Sequence, residues 1–390
     1  MAKLIEITGK ALSGEWGTDD NAGIGIPVLR TTNFTNDGVV NYNNVVTRII
    51  SKKNIAEKYL RYGDIIIEKS GGSDNQPVGR VIFFEGAEKT YLFNNFTGLL
   101  RVQDTSKWAP KYVFYSLYAN YRRGGTKQYE NKTTGLHNLK TDNYVNCFNI
   151  DEIEITKQTR ICEQLDKVRS IIVARKQQLQ KLDELVKARF IELFGGIHNS
   201  SKYPYKTIKE LTDVISGGTP SRDTSEYWDD GIIPWVKTTE LQNNMIVKAG
   251  EHITEIGLNN SSAKIVPPGT VLIAMYGQGK TRGMTAYLGI EACTNQACAC
   301  ILPSDKINQT FLWHFLILSY DNLRDKAKGG NQPNLNGNII KNYPVLCPPK
   351  ELQEQFVAFT EQTNKSKFVI QKSLDETQLL FDSLMQKYFK

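Results

Sequence analysis

The sequence lacks most features that define secreted, membrane or disulfide-bonded proteins. Its six cysteines among 390 residues are too few and too scattered for a disulfide scaffold. No apolar run approaches the ~20 residues that a membrane-spanning helix needs, and the first residues, MAKLIEITGKAL, contain no signal-peptide core. The composition, 40% hydrophobic and 23% charged, is ordinary for a soluble globular protein. We therefore expect a cytoplasmic protein of two or three domains.

Motifs of the common catalytic classes are also missing. The sequence has no nucleophile elbow, no HExxH motif, no dense carboxylate pair beside a lysine, and neither signature motif of adenine methyltransferases. Ala274–Thr281 loosely resembles a phosphate-binding loop, but the residues after it do not have a helical pattern, so a strand turn facing DNA backbone is favoured. Cys293, Cys298 and Cys300 lack the spacing of a zinc site and are expected to be buried strand cysteines. No resident cofactor, metal or catalytic residue is predicted.

Two long stretches without proline or glycine dominate the remainder of the chain. From Gln158 to Phe194, apolar residues recur at alternating steps of three and four, with Arg175 and Arg189 filling two gaps in the series. This is a heptad pattern, which predicts one long amphipathic helix that needs a partner along its apolar face. Gly195-Gly196 is a stop signal. The stretch Leu352–Phe389 has a weaker version of the same pattern and is the expected partner.

The two helices belong to an internal repeat. Gln158 and Gln355 both lie near a helix start, 355 − 158 = 197 residues apart. Upstream of each helix the same short motifs occur in the same order: RYGDIII resembles PPGTVLI, and GLHNL resembles NQPNL. The conserved order of the motifs favours duplication over chance similarity. The chain is therefore predicted to run globular block, long helix, globular block, long helix.

The loops of both blocks combine glycine, hydroxyl, amide, basic and aromatic residues. Such loops suit nucleic acid, because Arg and Lys neutralise phosphate, Arg can fork onto guanine, and Asn or Gln can pair with adenine. Taken singly, each loop could equally be a solvated turn. Residues 1–150 carry 19 basic against 14 acidic residues and residues 201–345 carry 14 against 13, which favours a polyanionic partner only mildly.

The candidate DNA-binding residues lie in these loops. In the first block they are Trp16, Arg30, Thr31, Thr32, Asn33, Lys69, Ser70, Gly71, Gly72, Ser73, Gln76, Arg80, Arg122, Arg123 and Lys127. In the second block they are Thr219, Ser221, Arg222, Lys237, Thr238, Thr239, Tyr276, Gln278, Lys280, Arg282, Lys328, Asn331 and Gln332.

The order of blocks and helices, and the wording of several motifs, resemble the specificity subunit of type I restriction-modification systems. GDIIIEKSGGSDNQPVGRV, ISGGTPSR with YWDDGIIPWVKTTEL, GGNQPNLN, and the Pro-rich entry to the last helix are similar to that family, and the resemblance spans nearly the whole chain. It implies an α+β fold with a pseudo-two-fold internal repeat. The implied segments are a target-recognition domain at 1–150, a spacer helix at 151–200, a second target-recognition domain at 201–345 and a second spacer helix at 346–390.

The resemblance also implies a role without catalysis. Each recognition domain would read one half of a bipartite asymmetric DNA site, and the two antiparallel coiled-coil helices would set the gap. Two methyltransferase subunits, which use S-adenosylmethionine, would dock on the assembly, and restriction subunits would join the full complex in a prokaryotic cytoplasm. Two alternatives stay open: a single-chain DNA-modifying or DNA-cleaving enzyme with an unrecognised active site, and a coiled-coil assembly scaffold that does not touch DNA.

Overall fold

A computed structural model describes residues 1–133, 136–277, 279–327 and 334–390. By contacts the chain divides into a first unit, Met1–Lys176 with Lys372–Lys390, and a second unit, Gln177–Gln371. The two long helices cross this division, so each unit contains half of each helix. The domain limits at 150, 200 and 345 therefore stay a prediction.

The first unit is a mixed α/β fold. Its helices are α1 (Leu4–Thr8), α2 (Pro110–Arg122), α3 (Thr141–Cys147) and the first half of α4 (Ile155–Phe194). Its strands are β1 (Ala2–Lys3), β2 (Leu12–Ser13), β3 (Thr18–Asp19), β4 (Ile26–Leu29), β5 (Val46–Ile49), β6 (Ile65–Glu68), β7 (Ser70–Gly72), β8 (Val81–Phe83), β9 (Leu92–Phe93), β10 (Thr97–Leu100), β11 (Glu130–Thr133), β12 (Leu136–Leu139) and β13 (Asn149–Ile150).

The sheet β2-β10-β6-β8 is the centre of the first unit. Alternate residues of β6 face opposite sides, as in any strand. Ile65 and Ile67 pack on the side of α2, in a core with Tyr112 and Tyr115. Ile66 faces the other side, where β4 and β9 of the sheet β3-β5-β4-β9 supply further apolar residues. The run of β-branched residues in β6 thus serves two cores at once, which explains why it does not alternate with polar residues.

The second unit has the same kind of composition. Its helices are α5 (Ile208–Leu211), α6 (Glu255–Asn259), α7 (Gln309–Leu318), α8 (Tyr320–Asp325), α9 (Gly337–Lys341) and the first half of α10 (Lys350–Tyr388). Its strands are β14 (Tyr205–Thr207), β15 (Val214–Ser216), β16 (Ile233–Val236), β17 (Asn244–Ile246), β18 (Glu251–Ile253), β19 (Val271–Ala274), β20 (Thr285–Leu288), β21 (Cys293–Thr294), β22 (Cys298–Ile301) and β23 (Pro344–Leu346).

The topology of the second unit repeats that of the first. The order β15-β22-β19-β20 corresponds to β2-β10-β6-β8, and β18-β16-β21 corresponds to β5-β4-β9. Both β4–β9 and β16–β21 are parallel pairs. Individual hydrogen bonds also repeat: Lys69 N donates to Phe96 O at 2.8 Å, and Met275 N donates to Ala297 O at 2.8 Å. The predicted internal repeat and the mixed α/β class of both blocks are confirmed.

The long helices pair within each unit. In the first unit, Ile161 and Leu165 of α4 share a core with Met385 of α10 and with Phe389, which directly follows α10, so the start of α4 lies against the end of α10. In the second unit, Phe190 of α4 packs on Phe356 of α10 with ring centroids 5.4 Å apart, so the end of α4 lies against the start of α10. Both contacts have the antiparallel sense, as expected. Helix α4 ends before Gly195, whose φ of +79° favours glycine.

Polar residues within the helix pairing find partners there. Arg175, which interrupts the apolar series of α4, hydrogen-bonds to Ser373 O and Thr377 Oγ1 of α10 in the first unit. Arg189, the other interruption, lies 5.8 Å from the ring centroid of Phe359 in the second unit. The gaps in one heptad series are thus matched to polar or aromatic residues in the other.

A buried glutamine fixes the start of each long helix. Gln158 Oε1 accepts a hydrogen bond from Ala109 N at 2.9 Å, and Gln353 Oε1 accepts one from Asn308 N at 2.9 Å. Their exposed fractions are 0% and 2%, whereas Gln355 is exposed. The structural equivalent of Gln158 is therefore Gln353, and pairing it with Gln355 was wrong by two residues. Within the ranges given above, no helix has both the length and the apolar character required to cross a bilayer.

Candidate nucleic-acid interface

The same basic turn follows the same strand in both units. After β4, Arg30 N donates to the side chain of Asn33 at 2.9 Å, and Thr31–Asn33 form a 3-10 turn. After β16, Lys237 N donates to Glu240 Oε1 at 2.8 Å, and residues 238–240 form the same turn. A side chain three residues on caps the first N–H in each case, which fixes the backbone of the turn. We call these two segments, 30–33 and 237–240, the basic turns.

Thr31 and Thr238 are half-buried in the basic turns, whereas Thr32 and Thr239 are exposed. Asn33 is buried, and its amide donates to Asn41 O at 2.9 Å. Asn33 therefore holds the turn together from inside, leaving the outer face of the turn to the basic residue and the exposed threonine. The basic residue and both threonines of each turn, and Asn33, are candidate DNA-binding residues by sequence, and their contact with DNA stays a prediction.

Arg80 supports the first basic turn from the interior. Its guanidinium forms two hydrogen bonds with Glu68, at 2.9 Å to Oε2 and 2.8 Å to Oε1, and its Nη2 donates to Thr31 O at 3.2 Å. The side chains of Arg80 and Glu68 are 14% and 1% exposed. Arg80 therefore lies at the predicted site, but most of its N–H groups donate to Glu68 and to the turn rather than facing outward.

The glycine-rich segment after β6 lies beside the same turn. Gly71 has φ +127°, and a Cβ there would lie 3.3 Å from Glu68 Oε1 and 3.7 Å from Thr31 Oγ1. A Cβ on Gly72 would meet Val78 N at 2.6 Å, so this segment follows the neighbouring backbone closely.

Lys69 Nζ donates to Ser13 Oγ at 3.0 Å, and partial burial lowers the pKa of Lys69. Ser70 is in β7, and Ser73 and Gln76 close the following turn through a 2.7 Å backbone bond.

Arg122, Arg123 and Lys127 are not part of this group. Arg122 forms an ion pair with Asp382 at 2.5 Å, and Arg123 hydrogen-bonds to Phe389 O. Asp382 is in the C-terminal part of α10 and Phe389 directly follows that helix, and α2 packs against this end of the chain in the first unit. Lys127 is exposed in a separate short 3-10 helix at Lys127–Tyr129. The sequence could not show this, because the partners are more than 250 residues away along the chain.

In the second unit two tryptophans and a carboxylate gather around the basic turn. The guanidinium of Arg222 lies 3.6 Å from the ring centroid of Trp228 and 4.8 Å from that of Trp235. Glu251 contacts Arg222 at 2.7 Å and Lys237 at 2.5 Å. The hydrogen bond from Lys237, with a further one from Arg222, lowers the pKa of Glu251, so that carboxylate is charged at neutral pH. Trp228 and Glu251 were not among the sequence-predicted residues.

The segment around Arg222 is held by backbone contacts. Ser221 O accepts a hydrogen bond from Trp228 Nε1 at 2.9 Å, and Gly218 O accepts one from Trp235 Nε1 at 2.9 Å. Thr219 Oγ1 hydrogen-bonds to the side chain of Gln296. The SGGTPSR motif therefore forms a fixed rim beside the second basic turn.

The loop after β19 is fixed by two side chains of α8. Arg324 donates to Arg282 O at 2.7 Å and to Gly279 O at 2.9 Å, and Tyr320 Oη donates to Lys280 O at 2.6 Å. Tyr276 and Lys280 are exposed. The described residues of this loop form turns without a helix, which agrees with the expectation of a strand turn. The candidates Gln278, Lys328, Asn331 and Gln332 lie outside the described residues.

Cys293, Cys298 and Cys300 lie in β21 and β22 and are buried. Burial raises the pKa of Cys293 and of Cys300 to about 11. They are thus buried strand cysteines in a thiol-favouring environment, as predicted.

Comparison with known proteins shows which proteins this arrangement resembles. The fold is a duplicated α+β structure in which each unit carries a basic turn and half of each long helix. The family described as Type I restriction modification DNA specificity domain matches residues 200–377. The Escherichia coli type I restriction enzyme EcoR124I/EcoR124II specificity subunit is 21% identical over 269 residues, covering 66% of this chain and 64% of that protein.

A second curated relative and two solved structures agree. The Methanocaldococcus jannaschii type I restriction enzyme MjaIX specificity subunit is 30% identical over 158 residues, which is 38% of this chain and 35% of that protein. The chain thus spans less than two thirds of the length of these curated relatives. In fold, it is similar to the type I S subunit from M. genitalium (TM-score 0.58, 14% identity, 100% of this chain and 95% of that one). A structure from a study of type I system assembly gives TM-score 0.57 at 15% identity, over 100% of this chain and 97% of that one.

The chain is thus similar in sequence and in fold to type I restriction-modification specificity subunits, and its residues 200–377 match the DNA specificity domain of that family.

Proposed function

We propose that this chain is the sequence-specific DNA-recognition subunit of a type I restriction-modification complex. Each unit reads one half of a bipartite asymmetric site, and the chain itself carries out no catalysis. The observation that supports this most directly is the repeat of one basic turn, at the same place in one topology, in both units. A duplicated reader with different side chains in its two copies suits a target of two unlike halves.

The chemistry of the turns fits DNA. A basic side chain and an exposed hydroxyl project from a turn whose backbone is already fixed by a capping side chain. Such a group can meet phosphate or base edges without further ordering of the backbone, which lowers the entropic cost of binding. The excess of basic residues in 1–150, 19 against 14, supports the same conclusion.

The long helices set the gap between the half-sites in this proposal. Helix α4 has 40 residues, which corresponds to about 60 Å at 1.5 Å per residue. Two readers of one duplex must be held in phase with its helical repeat of about 34–36 Å. A continuous paired helix can fix such a phase, whereas a flexible linker cannot.

The helices also offer apolar surface for the methyltransferase subunits. In the first unit Val173, Leu379 and Leu380 are 46%, 71% and 51% exposed. In the second unit Leu185 and Phe368 are 48% and 72% exposed. Exposed apolar residues on a helix are typical of partner surfaces. We propose that two methyltransferase subunits dock here and bring S-adenosylmethionine, and that restriction subunits join the full complex.

Methylome sequencing of a host that carries this chain and its methyltransferase subunits tests the proposal. We expect adenine methylation at one split motif, and loss of that methylation when the gene for this chain is removed. Purified chain that methylates or cuts DNA alone would favour the single-chain enzyme. A complex that retards no duplex in a mobility-shift assay would favour the assembly scaffold.

The docking surface has its own test. Phe368→Glu and Leu380→Glu should reduce co-purification of the methyltransferase subunits, because each places a charge in an apolar contact. Lys372→Glu, at an exposed polar position of the same helix, is the matched control and should not. Equal recovery of the subunits with all three variants would contradict docking on these helices.

A further inference from the structure

Each unit contains an arginine stacked on a tryptophan, but only one of the two arginines is available to a ligand. In the first unit Arg48 lies 4.2 Å from the ring centroid of Trp16. Arg48 donates to Trp16 O at 3.1 Å and to Gly17 O at 3.3 Å, and it forms an ion pair with Asp19. Its side chain is 12% exposed. The donors of Arg48 are therefore used within the protein.

Arg222 in the second unit has the stack without those hydrogen bonds. It lies 3.6 Å over Trp228, and its side chain is 50% exposed. Its Nη2 is 2.7 Å from Glu251 Oε2, so this side of the guanidinium is engaged by the carboxylate. The guanidinium is thus held in place by Trp228 and Glu251, and because half of the side chain is exposed, the N–H groups that do not face Glu251 can bind a ligand.

The two arginines differ in exposure because the acid and the arginine of the ion pair occupy opposite places in the two units. In the first unit the arginine is on β5 and the acid, Asp19, is on β3. In the second unit the acid, Glu251, is on β18 and Arg222 is in the loop after β15. Strand β18 corresponds to β5, since β5 pairs with β4 as β18 pairs with β16. The positions of the acid and the arginine are thus exchanged between the units. The arginine on the strand, Arg48, donates to backbone oxygens, whereas the arginine in the loop, Arg222, is exposed.

Glu251 also connects Arg222 to the second basic turn. Its Oε1 binds Lys237 at 2.5 Å while Oε2 contacts Arg222. One carboxylate therefore holds two cations side by side, and both of its oxygens are engaged. This arrangement makes Glu251 a positioning residue, since it acts through the two cations that it holds.

We propose that Arg222 is a specificity-determining contact of the second unit, which reads a base with two adjacent acceptors, of the guanine type, and that Trp228 and Glu251 hold it ready to do so. The inference rests on the proposed function. A planar guanidinium matches the O6 and N7 acceptors of guanine in a bidentate way. Stacking on Trp228 fixes the plane of the fork before DNA arrives, which preserves affinity that would otherwise be lost on ordering a long side chain.

The test uses the complex of this chain with its methyltransferase subunits. Competition binding is measured with duplexes that carry each base at every position of the half-site read by the second unit. Arg222→Lys keeps the charge but removes the fork, so preference at one guanine position should fall by roughly 5- to 150-fold, the range for a lost bidentate contact. Affinity for unrelated DNA should stay the same.

Glu251→Gln gives a readout that a merely structural role would not produce. Loss of one negative charge beside two cations should raise affinity for unrelated DNA. In a plot of the logarithm of the binding constant against the logarithm of the salt concentration, the slope should become more negative by up to about one. Preference at the same guanine position should fall, because Arg222 is no longer held beside Lys237. Trp228→Phe keeps an aromatic ring and weakens the stack, and should give a smaller loss at the same position.

Arg48→Lys is the matched control. It removes the corresponding fork in the first unit, and should lower thermal stability without changing preference in the half-site read by the second unit. If Arg222→Lys, Glu251→Gln and Trp228→Phe all keep the base preferences of the wild type, the inference is overturned and the proposed function stands. If the wild-type complex binds DNA without any preference, both are overturned.

Discussion

Arg80 and Glu68 form a bidentate pair beneath the first basic turn, with N–O distances of 2.9 and 2.8 Å. Because Glu68 is almost fully buried, removal of its partner leaves an uncompensated charge in the interior. We expect Arg80→Ala to lower the free energy of unfolding by about 3 kcal/mol or more, measured by urea denaturation. The first unit should then lose DNA binding through loss of the turn.

Two further variants show whether Arg80 supports the basic turn from inside or contacts DNA directly. Arg30→Ala, at the basic turn itself, should weaken DNA binding with a change in unfolding free energy within about 1 kcal/mol. The double variant Arg80→Met with Glu68→Leu should recover much of the lost stability, because no unpaired charge remains. An Arg80→Ala protein as stable as the wild type but defective in binding would instead make Arg80 a DNA contact.

The buried glutamine at the start of α10 gives a second prediction. Gln353→Ala leaves Asn308 N and Pro348 O, which now lie 2.9 and 2.7 Å from the amide, without partners. We expect a loss of about 1–3 kcal/mol in the free energy of unfolding. Gln355→Ala, two residues further on the exposed side of the same helix, should change it by less than about 0.5 kcal/mol. Equal effects of the two substitutions would show that the buried amide does not fix the helix start.

A third prediction concerns pH. Burial, with a smaller effect of Lys367, lowers the pKa of His314 from 6.5 to about 4, and its Nε2 has no hydrogen-bond partner among the described residues. The unfolded chain therefore binds a proton at higher pH than the folded chain does. The contribution of neutral His314 to stability is complete above pH 6.5 and is lost as pH falls from 6.5 to about 4, by on the order of 3 kcal/mol.

Urea denaturation at pH 7 and pH 4.5 measures this effect. In His314→Leu the part of the pH dependence that comes from this residue should disappear, because the group that takes up the proton is gone. His252→Gln changes an exposed histidine and should leave the pH dependence as in the wild type. If His314→Leu loses stability between pH 7 and 4.5 as steeply as the wild type, protonation of His314 is not the cause.

The helices provide a fourth prediction, which tests their role as spacer. Insertion of seven residues, one heptad, at facing positions of α4 and α10 keeps the apolar pattern and lengthens each helix by about 10 Å. At 3.4 Å per base pair, the gap in the methylated motif should increase by about three base pairs, with both half-sites unchanged. An insertion of the same length that leaves the gap unchanged in methylome sequencing would contradict the spacer role.

The long helices and the internal repeat could be predicted from sequence because both depend on local order. The spacing of Ile161, Leu165 and Val168 is enough to predict a helix with one apolar face. The strand before each basic turn and the Arg30-Thr-Thr and Lys237-Thr-Thr motifs recur at matching places, and the structure gives both the same 3-10 turn. The positions of Gln353 and Gln355 show the limit of this reasoning, since only burial distinguishes them.

What the sequence by itself determined was the architecture: two similar blocks, each followed by a long helix, with basic and polar loops. Apolar periodicity and motif order are properties of neighbouring residues, so no tertiary contact is needed to see them. Only the tertiary structure decided which basic residues are used inside the protein and which remain exposed. Arg80, Arg122 and Arg48 have carboxylate partners that lie 12, 260 and 29 residues away along the chain, and folding alone brings such charges together.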